Sequence, residues 1–167
     1  MERALELARI AKDPQTLYPA LAEGAHIFCE AGDVQRASEL VDEFLSALRA
    51  GGEIGFAIVS VHMLAWTLSA HGRGEELLET LPNRDVPWVQ AARAFASGNL
   101  LHAADICASM GAVTEEARDR LWLAEALIKQ NRRTEADVEL QRALTFYRSV
   151  GATRYIREGE GLLAASA

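Results

Sequence analysis

The feature that most constrains this chain is alanine at one fixed distance before each of four turn residues. Glycine or asparagine, which suit the left-handed end of a helix, mark these turns; they are Gly32, Gly72, Gly98 and Asn131. The residue seven positions earlier is alanine in every case: Ala25, Ala65, Ala91 and Ala124. Two helices approach closely only where a small side chain lies at their crossing. The pattern therefore predicts repeated pairs of closely packed helices.

Composition and spacing both favour an all-α fold. Alanine, leucine and glutamate, all good helix formers, dominate the chain, and 50% of its residues are hydrophobic. A helical stripe is clear where apolar residues follow one another at i, i+3, i+4 and i+7; it consists of Leu140, Ala143, Leu144 and Tyr147. No segment alternates as a half-buried strand does. The pattern from Ile54 to Trp66 favours a buried helix.

Turn and capping residues divide the chain into about ten predicted helices. Asp13-Pro14 can form an N-cap and a first helical residue. Pro19 then lies inside that helix or begins it, and the pattern leaves both possibilities open. The predicted helices are 2–11, 14–31, 33–49, 53–71, 74–81, 87–97, 99–110, 114–130, 133–149 and 153–164.

A small residue seven positions before a turn glycine, with an alanine five positions after it, resembles the tetratricopeptide repeat (TPR). The positions after the turns are Ala37, Leu77, Ala103 and Ala136. The resemblance implies one domain, residues 1–167, built as a right-handed α-solenoid of antiparallel helix hairpins. The implied repeats are about 14–50, 53–82, 86–111 and 114–150, with a capping helix at 153–164. The spacings between turns are 40, 26 and 33 residues rather than a constant 34.

Residues 113–167 resemble the C-terminal end of large bacterial signalling ATPases, including adenylate-cyclase-like and LuxR or maltose-regulator-like proteins. The segments that carry the resemblance run from Arg132 to Asp137, from Ala143 to Arg148, from Gly151 to Tyr155 and from Leu162 to Ala167. The resemblance implies a cytoplasmic regulatory module of signal transduction or transcription, in a longer protein whose ATPase and effector domains lie elsewhere. No motif of those domains occurs in this chain, so no catalytic residue is transferred.

Composition and motifs argue against several other functions. The formal net charge of −7 disfavours direct contact with nucleic acid or an anionic membrane. No apolar run approaches the length of a membrane span. Phosphate-binding loops, dinucleotide-binding turns and nucleophile elbows are absent from the sequence. We therefore expect a non-enzymatic protein without a cofactor.

Cysteine and histidine provide one weak metal hypothesis. His26 and Cys29 lie three residues apart and share a helix face. A structural zinc site usually needs four ligands, so we expect no metal, and we expect Cys29 and Cys107 to be small core residues. The basic residues of the last third suggest either an anion site or surface ion pairs, and ion pairs are favoured because acidic residues are equally frequent there. These basic residues are Arg132, Arg133, Arg142 and Arg148.

In TPR arrays the first helix of each pair lines a concave groove, and the resemblance transfers that role to particular residues. The predicted groove residues are His26, Cys29, His62, Trp66, Trp88, Phe95, Arg118, Leu121 and Glu125. Exposed tryptophan in a groove is a frequent binding hot spot. The alternative is that Trp66, Trp88 and Phe95 pack between neighbouring repeats.

The predicted function is binding of a protein, a peptide or a small effector. The alternative is a structural domain that self-associates, for example as a homodimer. An apolar stripe near the N-terminus favours that alternative; it consists of Ala4, Leu7, Ala8 and Ala11.

Overall fold

The computed structural model describes residues 1–164; residues 165–167, part of the C-terminal resemblance, lie outside the described residues. The chain divides into two compact units, unit 1 from Met1 to Gly98 and unit 2 from Asn99 onwards. Within the described residues all regular structure is helical, which confirms the all-α class. The ten α-helices of this part are α1 (Glu2–Ala11), α2 (Pro14–Glu30), α3 (Val34–Arg49), α4 (Val61–Ala70), α5 (Gly74–Thr80), α6 (Pro87–Ala96), α7 (Leu100–Met110), α8 (Val113–Lys129), α9 (Arg133–Ser149) and α10 (Thr153–Ala164).

One predicted helix is wrong in its extent. The segment 53–71 contains a short 3-10 helix, Ile54–Ala57, followed by a turn and then α4. Gly55 has poor helix propensity, and Ser60 Oγ donates a hydrogen bond to Glu23 on α2 at 3.1 Å. This contact holds the chain to α2 just before α4 begins. The sequence left open whether Pro19 lies inside the second helix or begins it; in the structure it lies inside α2.

The four predicted turns have the backbone conformation that their residues favour. The φ angles are 82° at Gly32, 69° at Gly72, 81° at Gly98 and 60° at Asn131. At three of these turns the amide after the turn residue donates to a carbonyl five residues earlier, which satisfies the helix end. These bonds are Asp33 to Phe28, Arg73 to Leu68 and Arg132 to Leu127, at 2.9, 2.8 and 2.9 Å.

The alanines of the repeated pattern are fully buried, as the pattern predicts. Those seven residues before the turns have no exposed surface; they are Ala25, Ala65, Ala91 and Ala124. The residues five positions after the turns are also fully buried; they are Ala37, Leu77, Ala103 and Ala136. The small side chains therefore lie where helices pack.

Unit 1 is organised around α2 and α4. Helix α2 lies against α1, α3 and α4, while α4 lies against α5 and α6. The core between these helices contains large, fully buried side chains, including Leu21, Leu40, Phe44, Leu64 and Leu68. Helices α2, α3 and α4 therefore each contribute large buried apolar side chains to the core of unit 1.

Unit 2 is organised around α8 and α9. Helix α8 lies against α7 and α9, and α10 lies against α9. Its buried core includes Leu121, Leu140 and Tyr147. Partly buried residues of α10, including Tyr155 and Ile156, pack against this core.

Candidate binding surfaces

Five of the predicted groove residues come together in unit 1 as a cluster of rings, which we call the ring cluster: His26, His62, Trp66, Trp88 and Phe95. The ring centroids of His26 and Trp66 are 5.3 Å apart. His62 lies 5.2 Å from Trp66, 6.5 Å from Trp88 and 5.8 Å from Phe95. The cluster therefore joins side chains from α2, α4 and α6.

Most of this cluster is core rather than an exposed groove. The exposed fraction is 0% for His62, 5% for Trp66 and 1% for Phe95. The groove exposure predicted for His62 is therefore wrong. For Trp66 and Phe95 the burial favours the alternative that these side chains pack between helices, and the rings of both meet His62 edge-on. His26 and Trp88 are partly exposed, as is the predicted groove residue Cys29. These three remain the accessible part of the predicted groove in unit 1.

Cys29 has a neighbour that the sequence did not suggest. Its Sγ lies 3.8 Å from Nε2 of His71, the C-cap residue of α4. Both side chains are partly exposed. The expectation that Cys29 is simply a core residue therefore needs correction, because an imidazole nitrogen adjoins an accessible thiol.

In unit 2, two predicted groove residues are buried beneath α10. Arg118 is 8% exposed, and its guanidinium lies 3.1 Å from Glu158 and 4.9 Å from the centroid of the Tyr155 ring. Leu121 is 1% exposed. Glu125 remains partly exposed and pairs with Lys129 at 2.8 Å. The groove role expected for Arg118 and Leu121 is therefore wrong, since the C-terminal helix occupies that face.

Unit 2 contains an apolar pocket that the sequence analysis missed, which we call the α7–α9 pocket. Its volume is about 250 Å³. It is lined by Leu101, Leu123, Leu127, Arg132, Glu135, Val138 and Glu139. Leu101 and Val138 are 48% and 49% exposed, which is high for large aliphatic side chains. The sequence carried no signal of this pocket, because its aliphatic residues lie on separate helices and their exposure is visible only in the structure.

A second apolar depression lies along α1 and α2 in unit 1, and we call it the α1–α2 groove. Its volume is about 490 Å³. All four residues of the predicted N-terminal stripe line this groove, together with residues of α2. The lining residues are Met1, Ala4, Leu7, Ala8, Ala11, Gln15, Thr16, Pro19, Ala20 and Glu23. The stripe thus forms one wall of a wider apolar surface.

Cys107 differs from Cys29 in its burial and in its hydrogen-bond partner. It is fully buried, and its Sγ donates to Asp119 Oδ2 at 3.6 Å. Burial and the nearby charge of Asp119 raise the pKa of the Cys107 thiol well above its ordinary value. The prediction that this cysteine is a core residue is confirmed.

Basic residues of the last third form ion pairs, as predicted. Each guanidinium lies within 3.3 Å of a carboxylate oxygen: Arg132 with Glu135, Arg133 with Asp137, Arg142 with Glu139, and Arg148 with Glu160. Their charges are therefore locally balanced, which argues against the alternative of an anion site.

None of the helices in residues 1–164 combines the length and the apolar character that crossing a bilayer requires. Comparison with known protein families, characterised proteins and solved structures finds no significant match for this chain.

Proposed function

We propose that this chain is a non-enzymatic, TPR-like binding module that recognises an apolar side chain of a peptide or protein. The α7–α9 pocket carries the proposal. At about 250 Å³ it is smaller than most small-molecule sites, which enclose roughly 300–1,000 Å³. A pocket of this size suits one large anchor side chain, the usual centre of a protein interface.

The edge of the pocket is polar but electrically balanced. Arg132 donates two hydrogen bonds to Glu135, at 2.8 and 2.6 Å, and both residues line the pocket. A polar rim around an apolar centre is the common anatomy of a protein interface. Because the rim charges neutralise each other, the preferred partner is an amphipathic segment rather than a phosphorylated or strongly acidic one.

The finer architecture is also a proposal. In unit 1, α2 lies against α4 and α4 against α6, so the first helices of successive predicted repeats are neighbours. This neighbour relation, with buried alanine at the predicted positions, supports a TPR-like solenoid of antiparallel hairpins. On the resemblance of residues 113–167, the module belongs to a cytoplasmic bacterial signalling ATPase or transcription regulator, whose activity it controls by binding a partner.

Selection from a phage-displayed random peptide library on the immobilised full chain tests the binding function. Selected peptides should share one large apolar residue. Val138→Glu should weaken their binding at least about tenfold, because it introduces a charge into the pocket. Leu7→Glu is the matched control, because Leu7 is equally exposed, at 50%, and lies on the α1–α2 groove.

Equal binding of the selected peptides to the wild type and to Val138→Glu would contradict the proposal. Thermal unfolding of both variants gives the control for folding. Since both substituted positions are about half exposed, we expect both variants to unfold at nearly the wild-type temperature.

The α1–α2 groove favours self-association as a second candidate function. Leu7 and Ile10 expose 50% and 69% of their surface on α1. Glu2 at the start of α1 already pairs with Arg36 of α3 at 2.9 Å, so the surface that α1 offers at Leu7 and Ile10 is apolar. A second copy presents the same apolar surface, which favours it as the occupant.

Sedimentation velocity at increasing protein concentration tests self-association. The wild type should show a dimer that Leu7→Glu abolishes and Val138→Glu preserves. A wild-type chain that remains monomeric up to millimolar concentration would contradict this second function while leaving the α7–α9 pocket unaffected.

A further inference from the structure

We propose that Cys29 is a reactive thiol that undergoes exchange with low-molecular-weight disulfides, with His71 as the base that accepts its proton. The two groups come from different helices and meet with Sγ 3.8 Å from Nε2. Both residues are partly exposed, as the approach of a small disulfide to the pair requires. The inference is independent of the peptide-binding function proposed above.

The helix ends place the two groups side by side. His71 is the C-cap residue of α4, and Cys29 lies in the last turn of α2. Because a thiolate is the reactive form of cysteine, and an adjacent protonated imidazole stabilises it, transfer of the proton to His71 would activate the sulfur.

The exchange reaction balances without any further reagent. The Cys29 thiol passes its proton to His71 Nε2, and the resulting thiolate attacks one sulfur of the disulfide RSSR. The S–S bond of RSSR breaks as the new bond between Cys29 and SR forms, and RS⁻ leaves. The imidazolium returns the proton to RS⁻ as RSH. Cys29 is thus oxidised to a mixed disulfide, while half of the reagent is reduced to a thiol.

Cys107 gives the chain an internal control. Its thiol is fully buried and hydrogen-bonded to the carboxylate of Asp119. Burial restricts the access of a disulfide to the sulfur, and the carboxylate disfavours ionisation of the thiol. Exchange under native conditions should therefore select one of two cysteines in the same molecule. This selectivity distinguishes activation at Cys29 from the general reactivity of thiols.

The first experiment treats the folded full chain with oxidised glutathione and maps the adducts by mass spectrometry. One adduct should form, on Cys29; it should disappear in Cys29→Ser and persist in Cys107→Ser. Modification of Cys107 at a comparable rate, or the absence of any adduct, would overturn the proposal.

The second experiment tests the base. With the chromogenic disulfide 5,5′-dithiobis(2-nitrobenzoate), His71→Asn should slow modification of Cys29 about three- to tenfold at pH 7, because the variant removes the group that accepts the thiol proton. His102→Asn, at an exposed histidine in unit 2, should leave the rate unchanged. An unchanged rate in a folded His71→Asn variant would refute the role of His71.

A third measurement needs no variant. In the wild type, Cys29 should react with the same chromogenic disulfide at least as fast as the cysteine of a synthetic peptide with the sequence of residues 24–33. This is expected even though the folded chain restricts access to the Cys29 sulfur. If Cys29 reacts more than about tenfold more slowly than the peptide, burial outweighs activation and the proposal fails.

Discussion

The guanidinium of Arg120 lies 2.6 Å from the carboxylate of Glu139, and their side chains are only 6% and 10% exposed. The same guanidinium also contacts Glu116 at 2.7 Å and Asp105 at 3.5 Å. Burial opposes the charge, but the hydrogen bonds to Glu116 and Glu139 raise the pKa of Arg120 above its ordinary value. This one residue therefore connects α7, α8 and α9 around the proposed pocket.

Glu139→Gln should destabilise the protein by about 1–3 kcal/mol, because it replaces one charged partner of a buried guanidinium with a neutral amide while Glu116 and Asp105 remain. Urea denaturation measures the free energy of unfolding. Glu135→Gln is the control, since the Arg132–Glu135 pair is exposed and exposed pairs contribute little. Equal stability of these two variants would show that the Arg120 network does not support unit 2.

Gly74→Ala should destabilise unit 1 by about 1–3 kcal/mol. A Cβ atom at this position would lie 2.7 Å from the backbone carbonyl oxygen of Ala96, so α5 and α6 would have to separate. The matched control is Gly161→Ala in α10, where a Cβ meets no described atom within 4 Å. That variant should gain up to about 0.5–1 kcal/mol from helix propensity. A neutral Gly74→Ala variant in thermal unfolding would contradict this close helix contact.

Tyr147→Phe should keep or raise stability at neutral pH, by up to about 1 kcal/mol. The Tyr147 hydroxyl is buried, and no described group accepts or donates a hydrogen bond to it. The aromatic stacking on Tyr155, with centroids 4.9 Å apart, survives in phenylalanine. A loss of more than about 1 kcal/mol would indicate that the hydroxyl has a stabilising partner.

The same substitution should change the alkaline limit of stability. Burial raises the pKa of Tyr147 above its ordinary value of 10.0. The unfolded chain therefore ionises first, and the stability that the neutral hydroxyl provides is present below pH 10 and is lost as the pH rises toward the folded-state pKa. Between pH 9 and 11 the free energy of unfolding, measured by urea denaturation at each pH, should fall less steeply for Tyr147→Phe than for the wild type. Identical slopes would contradict the assignment.

The buried alanines provide a test of the helix register. Ala65→Glu and Ala124→Glu should each cost at least about 3 kcal/mol, because each introduces a charge at a fully buried position. Ala108→Glu, at an exposed position in α7, should change stability by less than about 0.5 kcal/mol. Circular dichroism with thermal unfolding compares the three variants. Normal stability of both buried variants would refute the register.

Local residues were sufficient to predict most of the helices. Gly32 and Gly72 adopt the positive φ angles that end helices, and the alanines seven residues earlier are buried. The break before α4 escaped prediction although Gly55 is a poor helix former; the hydrogen bond from Ser60 to Glu23, 37 residues away in the sequence, accompanies it. Such a contact leaves no trace in local periodicity.

The surfaces were less predictable than the helices. Trp66 and Phe95 follow the same helical spacing whether their rings face a groove or another helix, so the pattern alone did not distinguish these environments. The burial of Arg118 depends on Glu158 and Tyr155 in α10. The α7–α9 pocket combines Leu101 of α7 with Val138 of α9. Helix α8 lies between these two helices in the sequence, so only the three-dimensional packing brings the two residues together.

The most direct test of the binding function is methyl NMR of the full chain during titration with a library-selected peptide. We expect saturable shifts at the methyl groups of the pocket's aliphatic residues, with those of Leu7 and Ile10 unchanged. The pocket residues to observe are Leu101, Leu123, Leu127 and Val138. Saturable peptide binding that leaves these four residues unshifted would contradict the account.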